Sequence, residues 1–445
     1  MDYPPLPPFE VRPRRQVYLG LDVVDGHQPC WSAPADSVGV VAPPGYGHAA
    51  GLLVPTLMHW DGAVLCAGTR DHLLRAAGDW RRRVAARRGG DLYVYDPFAA
   101  RSGPERVRWS PLAGCADPAV AYRRAWALVS TTGSGDRADA YRGTAAAALL
   151  RGLLHAAALA RRDAGAVLGW LAGRDLAEPV GILERAAAGA AGWSAELAAT
   201  ARLADPERSA AYGLARHALD AMAEPRVRDA TAGTTLDLDG FLESGSTLFV
   251  VCQADHRRAA VPLVAALVDA IVQRATDRAG RSSTGRIDPG LLLVLDDLPA
   301  VAPVESLPAL LAEGGERGIV TLWAAQSLAA LRGRYGRDGQ QAIVTASTAK
   351  ALFGGLCNGD DLRDVSGWAG EFREARVSYS SGRYLTGALH RPVLPVETLQ
   401  QLPPGRAWLF YRSDPPLLVE ARPAELMEPY RVRSGFTTVP ARAQP

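Results

Sequence analysis

Two kinds of apolar run alternate along the chain. The first is short and rich in Val, Leu and Ile: Val38–Val41, Ala63–Ala67, Leu92–Tyr95, Thr247–Cys252, Gly290–Leu295, Ile319–Ala324, Ala349–Gly354 and Ala407–Tyr411. Such runs are too short for helices and, being apolar at successive positions, read as strands buried on both faces. Longer amphipathic stretches fall between them, at His48–Met58, Asp71–Arg87, Ala259–Thr276 and Leu307–Glu313. Strands alternating with helices predict an α/β fold with a mostly parallel sheet. A further strand is expected at Gln16–Asp22, within an otherwise irregular Pro-rich start.

The second kind is long, Ala-rich and helical in period: Ala119–Ser130, Asp139–Asp163, Leu176–Gly189 and Pro206–Ala223. No strand pattern interrupts this region. The expected organisation is a Pro-rich segment (1–34), the first part of an α/β domain (35–116), an inserted all-α domain (117–228), the second part of the α/β domain (229–430) and a frayed tail (431–445). Both α/β parts are read as one sheet.

Composition narrows the classes of function. Pro and Gly together, 32 and 45 of 445 residues, are too few for a low-complexity chain. The net charge of +2 excludes a strongly basic nucleic-acid binder, so contact with DNA would need a local patch. The five cysteines, Cys30, Cys66, Cys115, Cys252 and Cys357, are scattered and form no CxxC pair, which argues against a disulfide framework or zinc site and for a reducing cytoplasm. The start lacks the basic-then-apolar pattern of a signal peptide. No apolar stretch reaches about 18 uncharged residues, so no membrane span is expected; Thr144–Ala160 is interrupted by Arg151 and His155, and Ala259–Val272 by Asp269.

Candidate chemistry begins after the strand at Val38–Val41. There the chain reads Ala42-Pro43-Pro44-Gly45-Tyr46-Gly47-His48-Ala49 and then enters a helix. A strand, a Gly-rich turn and a helix start form an anion site, because backbone N–H groups and the helix dipole converge. Against the phosphate-loop pattern GxxxxGK[ST], Gly45 and Gly47 agree, Ala42 replaces the leading Gly, His48 replaces the Lys and Ala49 replaces the Ser/Thr. The last two changes are severe. A shorter imidazole replaces the Lys that reaches the β- and γ-phosphates, and Ala49 offers Mg²⁺ no hydroxyl. Taken alone, the stretch is also compatible with a plain structural turn. Gly45, Tyr46, Gly47, His48 and Ala49 are the candidate nucleotide-binding residues.

A second site lies where Leu291–Leu295 ends in Asp296-Asp297. In phosphoryl-transfer proteins the first such acid holds Mg²⁺ and the next, usually Glu, activates water. Asp296 is therefore the candidate metal ligand and Asp297 the candidate catalytic acid, shorter than Glu by one bond of about 1.5 Å. Gln326, after the next strand, is placed to sense a γ-phosphate. Arg317, in Gly315-Glu316-Arg317-Gly318, reads either as an arginine finger acting across a subunit interface or as an ordinary exposed loop residue. ATP and Mg²⁺ are the cofactors this set implies. Lys350, the chain's one lysine, reads as a surface charge at a strand edge. Arg81, Arg82, Arg83, Arg87 and Arg88 read as a solvated helix end, or as contacts to DNA phosphates. His155, His217 and His256 lack metal-ligand spacing.

The order of these segments resembles the type IV secretion coupling proteins, the TraG/TraD-like conjugative DNA-transfer family. The resemblance lies in VVAPPGYGHAAGLLVPTLMHWDGAVL, in YVYDPFA followed by VRWSPLAG, in LLLVLDDLPAVAPVESLPALLAEGGERGIVTLWAAQSLAALRGRYG, and in LPPGRAWLFYRSDPPLL, spanning about Ser37 to Leu418. It is similar to a soluble, high-GC actinobacterial branch with a degenerate phosphate loop. The resemblance implies a RecA-like P-loop NTPase fold with an inserted all-α domain. It also implies assembly as a hexameric ring, homo-oligomeric or mixed, acting on DNA at a secretion channel. By position, His48 and Ala49 match the phosphate Lys and the metal-linked Ser/Thr, Asp296 and Asp297 the acidic pair, Gln326 the sensor, and Arg317 the second Arg of a Gly-Arg-Gly-Arg turn. Ala67-Gly68-Thr69-Arg70 stands where Asp-Pro-Lys-Gly is common. The family's N-terminal membrane helices have no counterpart here, so recruitment to a membrane would need partner proteins. Two functions are expected in competition: a nucleotide-binding subunit with impaired or absent hydrolysis, and a non-catalytic scaffold or substrate receptor that binds no nucleotide.

Overall fold

The structure is a computed structural model and describes residues 15–98, 105–132, 137–186, 190–252, 256–380, 383–427 and 430. The expected frayed tail and most of the Pro-rich start lie outside these residues. After β1 (Tyr18–Asp22) and β2 (Pro29–Trp31), β3 (Val38–Val41) leads through the Gly-rich loop into a π-helical turn, Ala49–Leu53, that continues as α1 (Val54–His59). Then come β4 (Ala63–Gly68), α2 (His72–Ala86) and β5 (Leu92–Tyr95).

Eight helices follow with no strand among the described residues: α3 (Pro118–Val129), α4 (Arg137–Leu159), α5 (Ala164–Gly173), α6 (Ala177–Arg185), α7 (Trp193–Thr200), α8 (Asp205–Ala218), α9 (Pro225–Thr231) and α10 (Leu238–Ser244). The chain returns to the sheet with β6 (Thr247–Val251), the long α11 (Arg257–Arg281), β7 (Leu291–Leu295), α12 (Leu298–Val301), α13 (Leu307–Glu313) and β8 (Ile319–Ala325). It ends with α14 (Leu328–Ala346), β9 (Ala349–Phe353), α15 (Gly359–Ala369), the hairpin β10 (Glu371–Ser380) and β11 (Arg383–Pro392), α16 (Val396–Gln400), β12 (Arg406–Tyr411) and β13 (Leu417–Glu420).

Eleven strands form one sheet in the order β2-β1-β13-β12-β9-β3-β8-β7-β4-β6-β5. From β9 to β5 every pair is parallel, while β12, β13, β1 and β2 extend the sheet in antiparallel fashion. The parallel strands are covered on both faces, which is why they read as unbroken apolar runs. Along β7, Leu291, Leu293 and Leu295 face one core with α3, α4 and α11, whereas Leu292 and Val294 face the other with β1, α1 and α2. The helical region thus packs into the same core as one face of the sheet.

Local signals account for the helix ends. Asp117, Asp163 and Asp237 cap α3, α5 and α10 by accepting backbone N–H bonds, and Ser327 does so for α14. Gly39 on β3 lies where a Cβ would come within 2.3 Å of the Trp323 ring, so the tryptophan can lie flat against the strand. Gly51 permits the π-helical turn to approach the Ala421 carbonyl, 2.2 Å from a notional Cβ.

Two expectations are corrected here. Arg81 belongs neither to a solvated helix end nor to a DNA-facing patch. It is fully buried, and its guanidinium donates to Thr247 Oγ1 (2.9 Å) and to the carbonyls of Leu57 (3.3 Å), Trp60 and Gly62 (2.9 Å). Burial lowers its pKa to about 9. Its neighbour Arg82 is exposed and pairs with Asp79 and Glu105. Lys350 is not at a strand edge, since β9 lies between β12 and β3. Its ammonium donates to the Ser347 carbonyl (2.9 Å), and burial pushes its pKa down. The extended hairpin β10–β11 was not expected at all. α11 is the one described helix long and apolar enough to cross a membrane, and two-thirds of that stretch is buried in the core.

Candidate functional site

Parallel strands point their carboxyl ends to one edge of the sheet, and the loops that leave those ends converge. Here they are the loops after β3, β4, β7 and β8. Register fixes their proximity: Val41 pairs with Ala325, Leu295 with Trp323, and Ala67 with Leu295. The Asp296 amide donates to the Ala67 carbonyl (2.9 Å), so this acid emerges beside the end of β4.

The loop after β3 has the backbone of an anion nest. Gly45 and Gly47 have φ of +83° and +89°, and His48 follows in the right-handed helical region (φ −55°, ψ −43°). Successive residues of opposite hand turn their N–H groups to one side, where a negative group is stabilised. The loop is braced from behind. The Tyr46 carbonyl accepts from the Gly405 amide (3.0 Å), and the Tyr46 hydroxyl lies over Gly355, 2.1 Å from where a Cβ would stand. Tyr46 thereby ties the loop to the segments after β9 and before β12.

His48 and Asp296, 248 residues apart in sequence, meet here. His48 Nε2 lies 3.3 Å from Asp296 Oδ1. A second imidazole, His72 at the start of α2, lies with Nε2 3.4 Å from Asp296 Oδ2. The buried carboxylate therefore has one ring beside each oxygen, His48 at hydrogen-bond distance and His72 in close polar contact. For His72 burial lowers the imidazole pKa and outweighs the opposing pull of Asp296, and the nearby charges of His48, Arg70 and Arg75 lower it further. Its Nδ1 is buried and has no hydrogen-bond partner. Sequence reasoning missed His72. The signal was available, because it lies two residues beyond Arg70, at the helix start that follows the strand next to β7.

The second acid serves another partner. Gln326 Nε2 donates to Asp297 Oδ2 (3.1 Å), and Asp297 has left-handed backbone (φ 58°, ψ 49°), which Asp tolerates better than most residues. The expected neighbours Gly45, Tyr46, Gly47, His48, Ala49, Asp296, Asp297 and Gln326 thus gather at one edge of the sheet. Arg317 does not join them. It precedes β8, whose seven residues separate it from Gln326 by about 20 Å, and it pairs with Glu313 (2.7 Å).

The donor set does not suit Mg²⁺. The Ala49 side chain has no oxygen, both Asp296 oxygens lie beside imidazoles, and Asp297 accepts from Gln326. Among the described residues no group of three or more His, Cys, Asp or Glu is arranged to hold a metal ion. Asp296, the expected metal ligand, stands beside His48 and His72 in this geometry. What remains is a backbone nest without a lysine.

Comparison with known proteins is decisive on kinship. The model of a family described as Type IV secretory system Conjugative DNA transfer matches residues 11–381. The chain belongs to that family. Solved structures of the bacterial conjugative coupling protein TrwB share its fold: the unbound monoclinic form superposes with a TM-score of 0.69 at 19% identity, covering 90% of this chain and 88% of that one. TrwB in complex with ADP and Mg²⁺ gives a TM-score of 0.67 at 18% identity, covering 91% and 88%. TrwB with the GTP analogue GDPNP gives 0.68 at 17%, covering 91% and 89%. The search of curated proteins finds no match. The expected RecA-like P-loop NTPase fold with a mostly parallel sheet is thereby borne out in this coupling-protein relative.

Proposed function

We propose that this chain is a nucleotide-binding subunit of conjugative DNA transfer in which ATP hydrolysis is impaired or absent. One observation carries the reading: the phosphate-loop backbone is intact, while the carboxylate that would serve a metal is held by His48 and His72. The backbone nest favours retained binding of an anion, and the TrwB complexes with ADP, GDPNP and ADPNP point to a nucleotide as that anion. Hydrolysis depends on charge neutralisation at the transferring phosphoryl group, and a preorganised donor lost from such a site costs about 10²–10³ in rate. Two such groups, the Lys and the hydroxyl, are replaced here.

In this reading the subunit joins a homo- or mixed ring on DNA at a secretion channel, at the cytoplasmic face of a membrane and recruited there by partner proteins. Arg317 then acts on the site of a neighbouring subunit, since its own site is a strand's length away, and release from Glu313 precedes that role.

Calorimetric titration with a non-hydrolysable ATP analogue tests the nucleotide part. Heat of binding in the micromolar to low-millimolar range is expected. No heat at millimolar analogue would favour a scaffold or substrate receptor of the same family.

A further inference from the structure

The two imidazoles on Asp296 decide what form of ligand the loop can take. A phosphate loop of ordinary chemistry receives its nucleotide with Mg²⁺, held between phosphate oxygens, the loop hydroxyl and the acid at the end of the neighbouring strand. We infer that this loop takes the polyphosphate chain of a nucleotide as the metal-free anion, with Asp296 serving as the anchor of His48 and His72 rather than as a cation ligand. The inference rests on the nucleotide-binding reading above.

Three features carry it. First, His48 and His72 approach different oxygens of the same carboxylate, at 3.3 and 3.4 Å, so a cation would have to displace both rings. Asp296 is only 6% exposed, and a carboxylate withdrawn from water to that extent needs partners. Here the imidazoles provide them from within the fold. Second, the remaining oxygen donors are gone or occupied: Ala49 carries no hydroxyl, and Asp297 is bonded to Gln326 (3.1 Å). Third, what recognises phosphate directly is kept. The Gly47–His48 turn has the alternating hand of an anion nest and opens an apolar helical segment, Ala49–His59, whose dipole favours negative charge. Arg70, exposed at the end of β4, adds a positive charge near His72.

The test pairs two measurements on the full chain. Calorimetric titration with a non-hydrolysable ATP analogue is run once in EDTA and once in excess Mg²⁺. Unfolding temperature is measured for the wild type, with and without millimolar Mg²⁺, and for Asp296→Asn. Expected are equal or tighter binding in EDTA, no response of the wild type to Mg²⁺ alone, and a lower unfolding temperature for Asp296→Asn, which removes the charge that both rings face. Binding about tenfold or more tighter in Mg²⁺, stabilisation of the wild type by Mg²⁺, or a raised unfolding temperature for Asp296→Asn would overturn the inference. A carboxylate kept for a cation is under repulsion until the cation arrives, and its neutralisation relieves that. Binding that requires Mg²⁺ would defeat this inference and leave the nucleotide-binding reading standing. Absence of heat in both media would defeat both.

Discussion

The double variant His48→Lys/Ala49→Thr is expected to show no recovery of ATP turnover, whereas adding His72→Ala to it is expected to raise turnover by about 10²-fold or more. The double variant restores the two groups that the loop lacks. It leaves His72 Nε2 on one oxygen of Asp296, 3.4 Å away, so the carboxylate remains engaged inside the protein. Removing the second ring frees it for a metal and completes the set of oxygen donors with the new hydroxyl. Phosphate release under excess ATP and Mg²⁺ measures the series. Full recovery in the double variant would show that His72 does not limit the site. No recovery in the triple variant would place the remaining defect at Asp297, which is shorter than the usual Glu and committed to Gln326.

Arg81→Ala is expected to lower the unfolding free energy by about 3–5 kcal/mol. The guanidinium is fully buried and bonds the carbonyls of Leu57, Trp60 and Gly62 together with the Thr247 hydroxyl. Those carbonyls belong to the end of α1 and the turn into β4, and Thr247 opens β6. One side chain therefore fixes the connection between the phosphate-loop helix and β4, the strand beside Asp296, to the neighbouring strand β6. Its loss leaves several buried acceptors without donors and a cavity behind them. Arg81→Met, which keeps most of the volume, should recover only the cavity part. Arg82→Ala, one residue on, is expected to change stability by no more than about 0.5 kcal/mol, because its pairs with Asp79 and Glu105 are exposed. Urea unfolding of the three variants checks this. A small effect for Arg81→Ala would mean that water replaces the guanidinium at those carbonyls.

These two residues mark the reach of sequence reading. Strands such as β7 and β8 are legible because burial on both faces makes every position apolar, a signal carried by adjacent residues. The Ala-rich helices are legible for the same local reason. The β10–β11 hairpin is not: Glu371 to Glu374 are exposed, and charged residues there obscure any strand pattern. Arg81 and Arg82 are neighbours with the same side chain, and only the rotation of α2 against the sheet decides which is buried. The loop residues from Gly45 to Ala49 and the acids at Asp296 and Asp297 follow from strand-to-loop grammar. The His48–Asp296–His72 bridge does not, because it joins three loops and depends on the register of β4 against β7. Lys350 shows the same limit, since a lone lysine suggests surface until the sheet order places its strand between two others.

The most direct test of the central claim is steady-state phosphate release by the purified wild-type protein at saturating ATP and Mg²⁺, with DNA present. The account predicts turnover indistinguishable from a control carrying Asp297→Ala. Turnover of about 1 s⁻¹ or more, within the ordinary enzymatic range and abolished by Asp297→Ala, would contradict it.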